Sequence, residues 1–338
     1  MSNGKVILFG ASSGGMVALE TYKDDHDIVA FCDNDPVKWG KTLSGLPIIK
    51  PSEIPEDASV IIASAYVIEI LQQLEKDGVP VLWEESMHFA DRYDQHMHRY
   101  FEEYMDDSDE PILVYHMGKV GSTSIETLIR AQGKDYLSFT DLNVAAAERL
   151  SREAKARPIK MVSIVRDPVA RDIASLFQLF PDTVSRNRAL FEGVAQADIT
   201  TTASAILKHS RDTAIRWFDE EFIPRTGIDV YARPFDPNGV AQRIRHGNID
   251  LLLLKLERIN EATDTIAEFL GADIPEIPKA NVAAQKWYAS LYEEFKANFR
   301  ADDDYLRRMY ESRYAKHFYS QEEIDRFMTK WKGAAGAA

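Results

Sequence analysis

"YHMGKVGSTS", residues 115–124, follows the apolar run at 112–114 and leads into a stretch with helical character, 125–130. A strand, then a loop of lysine, glycine and small hydroxyl residues, then a helix is how an α/β layer builds an anion cradle. Backbone N–H groups and the helix dipole there converge on a phosphate-like group. The order departs from the ATP loop G-x-x-x-x-G-K-[ST], in which the lysine follows the last glycine. Here Lys119 precedes Gly121, and no ATP loop of that form occurs in the chain. A P-loop kinase fails on that order, and another anion is expected.

Around this loop the pattern alternates. Strands are expected at 112–115, 136–139, 160–165, 227–233 and 249–257, with helices at 143–155, 168–180, 199–222 and 260–270. After residue 280 the chain reads as helix, with Trp287, Leu291 and Phe295 on one face. An earlier alternation runs through "KVILF" at 5–9, "DIVAFCD" at 27–33, 46–49, 58–64, a helix at 65–77 and "VPVLWE" at 79–84. That spacing indicates a parallel sheet of about five strands. The expected organisation is a small domain over 1–85, a helical and acidic linker over 86–110, a second α/β domain over 111–330 with a helical C-terminus, and a frayed tail over 331–338.

The formal charge of −14 argues against nonspecific binding to nucleic acid or an anionic membrane, both of which need a basic surface. A local basic pocket for a small anion remains compatible with it. Cys32 is the single cysteine, so no intrachain disulfide can form and a cytoplasmic location is expected. No apolar run approaches the ~20 residues of a membrane span, and the N-terminus reads as a buried strand, not a signal peptide. No metal-ligand spacing such as H-x-x-x-H or C-x-x-C occurs, so no metal site is expected. A homo-oligomer is left open.

In the first domain "GASSGG" lies between a strand and a helix, which makes Gly10, Ser12, Ser13 and Gly14 candidate nucleotide contacts. Asp33 closes the second strand 23 residues after Gly10, where an acidic side chain meets a ribose in dinucleotide folds. The spacing G-x-x-x-G-G is not G-x-G-x-x-G, and the glycines serve equally well for a tight turn and close helix–strand packing. Asn34 and Asp35 are open to a ligand role or a turn role before Pro36. "VILFGASSGG", "VAFCDNDPVKWGKTLSGLPII" and "PSEI" resemble the small Rossmann-like domain attached to many bacterial sugar-modifying enzymes, including sugar acyltransferases. The resemblance covers roughly residues 4–84. It implies a nucleotide or nucleotide-sugar pocket, or a domain that has lost its ligand.

A second basic signature, "VSIVRDPVARDIASLF" at 162–177, places Arg166 at a strand end, where a guanidinium can grip a phosphate. An Arg166–Asp167 pair serves the same letters. Together the two signatures resemble the phosphosulfate-binding pair of the PAPS-dependent sulfotransferases, whose fold is of P-loop type. The resemblance implies 3′-phosphoadenosine 5′-phosphosulfate (PAPS) as sulfuryl donor and no divalent metal. Lys119, Gly121, Ser122, Thr123 and Ser124 match the loop that holds the 5′-phosphosulfate, and Arg166 the arginine on the 3′-phosphate. The family serine, eight positions after the arginine, is here Ala174; Ser175, one place later and about 100° around a helix, is the remaining candidate.

"RWFDEEF", "GIDVYARPFD", "LLLLKLERIN" and "NVAAQKWYASLYEEFK" further resemble a bacterial capsular polysaccharide synthesis family named for an N-K-W-Y-S motif. That motif stands here as Gln285–Lys286–Trp287–Tyr288–Ala289, with its first and last letters changed. The resemblance covers about 110–320 and implies a polysaccharide or glycan acceptor. Its aromatic stripe serves as well for a core-facing helix. The implied chemistry is sulfuryl transfer to a glycan hydroxyl, with Lys119 stabilising the leaving phosphate oxygen. Asp141 is the candidate base, unless it N-caps the helix beginning near Asn143. His116 and His209 are rivals for the base. Lys208, Arg211 and Arg216 either meet an anionic glycan or form a solvated face. The alternative function is a non-catalytic or glycosyltransferase-like nucleotide-sugar-binding protein of capsule biosynthesis, favoured by the Ala174 departure.

Overall fold

The structure is a computed structural model of the chain. It describes residues 4–64, 67–82, 85–86, 101–186, 212–278 and 289–332. The chain divides into two compact units, Met1–Tyr100 and Phe101–Ala338, and the fold of both is mixed α/β.

The first unit contains β1 (Lys5–Phe9), α1 (Ser13–Tyr22), β2 (Asp27–Cys32), β3 (Thr42–Leu43), β4 (Leu46–Ile49), β5 (Ala58–Ile62) and α2 (Val67–Lys76). The sheet order is β3-β4-β2-β1-β5, parallel except for the antiparallel pair β3–β4. Residues 6–9 are apolar without a break because both sheet faces are covered, while Lys5 at the strand's start is exposed. Val6 and Leu8 pack with Val17 and Phe31 on one side, while Ile7 and Phe9 pack with Val60, Ile62 and Leu74 on the other. One expectation fails here. Of the stretch 79–84, residues 79–82 form no strand and make a single parallel bridge, Val60 to Val81, while 83–84 lie outside the described residues. The sheet's fifth member is the two-residue β3, too short to carry an apolar alternation.

In the second unit a helical segment, 101–107, buries Phe101 and Met105. Residues 101–107 of the expected linker are thus part of this unit's core, with the Phe101 ring edge-on to Phe139 at 5.9 Å. There follow β6 (Ile112–Tyr115), α3 (Ser122–Ala131), β7 (Leu137–Phe139), α4 (Val144–Ala156), β8 (Ile159–Val165), α5 (Pro168–Arg186), α6 (Thr213–Trp217), a π-helical turn (Phe218–Phe222), α7 (Ile223–Thr226), β9 (Ala241–His246), β10 (Ile249–Lys255) and α8 (Thr263–Leu270). The C-terminal part is α9 (Ala289–Asn298), α10 (Asp303–Tyr310), α11 (Arg313–Phe318) and α12 (Gln321–Lys332).

The sheet order is β7-β6-β8-β10-β9, parallel except for β9. Because β7 and β8 lie on opposite sides of β6, the chain reverses its direction of winding there. In open α/β sheets the crevice at such a point, beyond the carboxyl ends of the strands, is where ligands bind. The expected strand at 227–233 is instead a turn, in which Asp229 Oδ1 accepts the Tyr231 N–H at 2.9 Å. Its Asp and Ala–Arg–Pro letters favour that local bond over a ladder. The real edge strand is β9, a polar sequence, "AQRIRH", that hides its strand character because it has only one buried residue. Of the expected helix at 199–222, residues 199–211 fall outside the described residues, and helix begins at Thr213, after the N-cap Asp212.

Candidate functional site

The loop after β6 holds three left-handed residues in four: Gly118 at φ 74°, Lys119 at φ 60° and Gly121 at φ 76°. Glycine takes this conformation freely, whereas a side chain costs about 1 kcal/mol or more. Lys119 is therefore held there by its surroundings. Arg171, on the first turn of α5, donates Nη2 to the Met117 carbonyl at 2.7 Å and Nε to the Gly118 carbonyl at 3.3 Å. Arg166, one residue past β8, donates Nη1 to the Lys119 carbonyl at 2.6 Å. Guanidinium donors make stronger bonds than neutral ones, and here they take three successive carbonyls. In a trans peptide the N–H points opposite to the C=O. Hence the Lys119 N–H points away from the carbonyl that Arg171 holds and the Val120 N–H away from the one that Arg166 holds, a disposition suited to an anion nest.

His116 supports the same loop from below. Its Nδ1 accepts the Gly118 N–H at 3.0 Å, so Nε2 carries the proton and donates to Ser138 Oγ at 3.2 Å. Ser138 in turn donates to Glu126 at 2.8 Å. Burial, with Lys119 and Arg171 nearby, pushes the imidazole down to about 4. His116 is thus a neutral prop with both nitrogens in hydrogen bonds.

The Arg166–Asp167–Pro168 corner is clamped by the C-terminal helices. Tyr314 Oη accepts the Arg166 N–H and donates to the Arg166 carbonyl, both at 2.9 Å. The buried Asp167 carboxylate receives Tyr310 Oη at 2.6 Å and Trp331 Nε1 at 2.8 Å. Glu257, just past β10, accepts the Asp167 N–H at 2.7 Å. The alternative of an Arg166–Asp167 pair does not describe these bonds, since Asp167 faces aromatic donors and Arg166 faces the loop. Leu256, next to Glu257, lies against Gly121: a Cβ there would stand 2.5 Å from Leu256 Cδ1. The ends of β6, β8 and β10 therefore meet around the loop.

Ser122, Thr123 and Ser124 open α3 and are half-buried, while Ile125, Leu128 and Ile129 fix the helix to the core. Ala174 and Ser175 are both half-buried on α5, and the residues of that signature that reach the loop are Arg166 and Arg171. Asp141 is exposed and accepts Thr140 Oγ1 at 3.0 Å. It does not cap α4, for the cap is Asn143, whose side chain accepts the Ala146 N–H at 2.8 Å. The Asp141 segment runs beside the loop: the His116 N–H donates to the Phe139 carbonyl at 3.1 Å, and a Cβ at Gly118 would lie 3.8 Å from Thr140 Cγ2.

In the first unit Gly10 has φ 128°, and a Cβ there would come to 2.4 Å from the Ala63 carbonyl oxygen. At Gly15 it would come to 1.9 Å from the Gly10 carbonyl oxygen. Gly14 is buried, Ser13 opens α1, and Ser12 is an exposed, extended N-cap. Asp33 does reach the loop. Its Oδ2 accepts the Ala11 N–H and the Lys38 ammonium, each at 2.8 Å, and its Oδ1 accepts the Asp35 N–H at 2.9 Å. Asp35 accepts the Val37 N–H at 3.0 Å, its turn role, while Asn34 pairs with the Gln73 amide 39 positions away. Burial pushes the Cys32 thiol up to about 12, so it is no nucleophile at neutral pH.

Sequence reasoning missed Trp217, Glu221, Glu257, Tyr310, Tyr314 and Trp331. Tyr310 and Tyr314 stand four positions apart but on two successive helices, α10 and α11, so helical spacing gave no signal for them. Lys208, His209, Arg211 and Gln285–Tyr288 lie outside the described residues. Among the described residues no group of histidine, cysteine, aspartate and glutamate could hold a metal ion, and no helix is long and apolar enough to cross a membrane.

Residues 200–320 match the NKWYS family, described as "Putative capsular polysaccharide synthesis protein". The match takes in α6, the π-helical turn and β10, and so includes Trp217, Glu221 and Glu257. No curated protein and no solved structure matches the chain.

Proposed function

We propose that the second unit is a sulfotransferase that uses PAPS on the 118–124 loop and modifies a hydroxyl of a capsular or surface polysaccharide or its precursor. The observation that carries this reading is the set of three loop carbonyls drawn to Arg166 and Arg171. It turns the intervening N–H bonds away from those carbonyls, at the end of β6 where the sheet's winding reverses. The residues fit a phosphosulfate: left-handed backbone for a nest, a lysine, and a first helical turn of three hydroxyl residues.

In the transfer, Asp141 takes the proton of the acceptor hydroxyl while that oxygen forms its bond to sulfur. The bond from sulfur to the bridging oxygen breaks, and its electron pair stays on the phosphate. Lys119 and the loop N–H groups stabilise the charge that develops there. The family match to capsular polysaccharide synthesis supports a glycan as acceptor. In the first unit the same reading assigns a nucleotide or nucleotide-sugar contact to Gly10–Gly14, with Asp33 already tied to the loop and to Lys38.

A second reading, a nucleotide-sugar-binding protein of capsule biosynthesis without transfer activity, rests on Ala174, which stands where the resemblance implies a serine. Labelled sulfate supplied as PAPS, together with the purified chain and extracted capsular polysaccharide, separates the two. Label on the glycan that is lost in Lys119→Ala supports transfer. Tight binding of adenosine 3′,5′-bisphosphate with no label on any glycan supports the second reading.

A further inference from the structure

Residues 213–226 form one helical stretch interrupted by the π-helical turn Phe218–Phe222. The cause is local. Pro224 has no N–H for the carbonyl of Glu220, and its ring crowds that carbonyl, so the regular ladder widens by a residue. The widened turn reaches the segment beside the loop at two points. Trp217 Nε1 donates to the Thr140 carbonyl at 2.9 Å. Glu221 Oε1 accepts the Leu142 N–H at 2.7 Å and Tyr115 Oη at 2.7 Å. These bonds fall on the residues immediately before and after Asp141. The third partner, Tyr115, ends β6 and directly precedes the loop.

The surroundings make the arrangement stiff. Trp217 is buried edge-on to the Tyr115 ring at 5.0 Å, and Phe222 and Phe139 pack on the same ring. Arg225 Nε stands 3.8 Å from Glu221 Oε2. With Asn143 capping α4, Asp141 has no cap duty, and it is exposed. We infer that Trp217 and Glu221 are positioning residues: they fix the peptides on both sides of Asp141 and so present its carboxylate to the acceptor hydroxyl. This rests on the reading of Asp141 as proton acceptor. It also gives the matched stretch 200–320 a task at a loop that lies outside that stretch.

The test uses the full chain and three variants. Glu221→Ala removes both bonds. Glu221→Gln keeps an oxygen that can accept them, and Trp217→Phe removes one N–H while keeping a ring. Misplacing a catalytic group by ~1 Å costs on the order of 10²-fold. On that scale kcat should fall about 10²-fold in Glu221→Ala, about 10-fold in Trp217→Phe and less than about 5-fold in Glu221→Gln. Adenosine 3′,5′-bisphosphate should bind all three within about 2-fold of the native chain, because the donor loop is held by other residues.

Retention of kcat in Glu221→Ala, or loss of bisphosphate affinity in step with kcat, would overturn the inference. Should Glu221→Ala not fold, Trp217→Phe and Glu221→Gln carry the same comparison, and equal damage in both would overturn it. Hydrogen exchange at the Leu142 amide keeps the two levels apart. Faster exchange in Glu221→Ala and Trp217→Phe supports the holding of this segment, and unchanged exchange refutes it. If the native chain neither binds the bisphosphate nor transfers sulfate, it is the reading of the site that fails.

Discussion

Each unit of this chain carries a glycine-containing loop between its first strand and the helix that follows, and the glycines of the two loops do different work. In the first unit they relieve crowding. A Cβ at Gly15 or Gly10 would overlap a backbone oxygen, at 1.9 Å and 2.4 Å, and the nearby Asp33 is occupied by Ala11, Asp35 and Lys38. In the second unit Gly118 has ordinary room around it, with 3.8 Å to its nearest neighbours, and its left-handed φ turns peptide planes. Arg166 and Arg171 then hold the carbonyls on one side. One loop is closed on itself and the other is propped open. The letter G alone does not distinguish them; what matters is whether the neighbouring cations reach the loop's carbonyls or its acidic residue.

That contrast can be broken experimentally. The largest effect is expected at Gly15→Ala, where backbone must move. A loss of ~3 kcal/mol or more in unfolding free energy of the first unit should appear in chemical denaturation, and a near-neutral result would refute the crowding role. Next, Lys119→Ala should weaken adenosine 3′,5′-bisphosphate by about 10²-fold in calorimetry, equivalent to roughly 2.7 kcal/mol, while Lys38→Ala leaves it unchanged. Equal effects of the two lysines would erase the distinction between the loops.

A smaller effect concerns pH. His116 is held neutral with its imidazole pushed down to about 4, whereas in the unfolded chain it takes a proton below about 6.5. The unfolded state then binds more protons between those values, so stability falls as pH drops through that window. Replacing it by Asn, which can still accept the Gly118 N–H, should remove about 1.5 kcal/mol of the loss between pH 6.5 and 5, measured by denaturation at both values. The smallest effect is expected at Gly118→Ala, about 1 kcal/mol, because only the left-handed backbone opposes a methyl group there.

Much of the frame was legible in the sequence, because β1, β6, β8 and β10 are buried on both faces over most of their length and read as mainly apolar runs. The strand–loop–helix at 115–124 was legible for the same reason, since its glycines and hydroxyl residues interrupt such a run. What stayed hidden depends on contacts far along the chain. Nothing local to Arg166 says that Tyr314 will bond both its N–H and its carbonyl across 148 positions. Asp167 reads as a helix-start acid, yet its partners Tyr310 and Trp331 come from the last helices. Residues 227–233 alternate like a strand but close as a turn on Asp229. β9 failed the opposite way, as a polar edge without alternation. The π-helical turn that grips the flanks of Asp141 follows from Pro224 and could be read only with the register of that helix in hand.

The most direct test of the central claim is hydrogen exchange on the full chain with and without adenosine 3′,5′-bisphosphate, with ADP as control. Protection of the peptide spanning 116–124 by the bisphosphate, absent with ADP and lost in Lys119→Ala, is the predicted result. Protection confined to the first unit's loop at 10–15, or no protection by the bisphosphate anywhere, would contradict it.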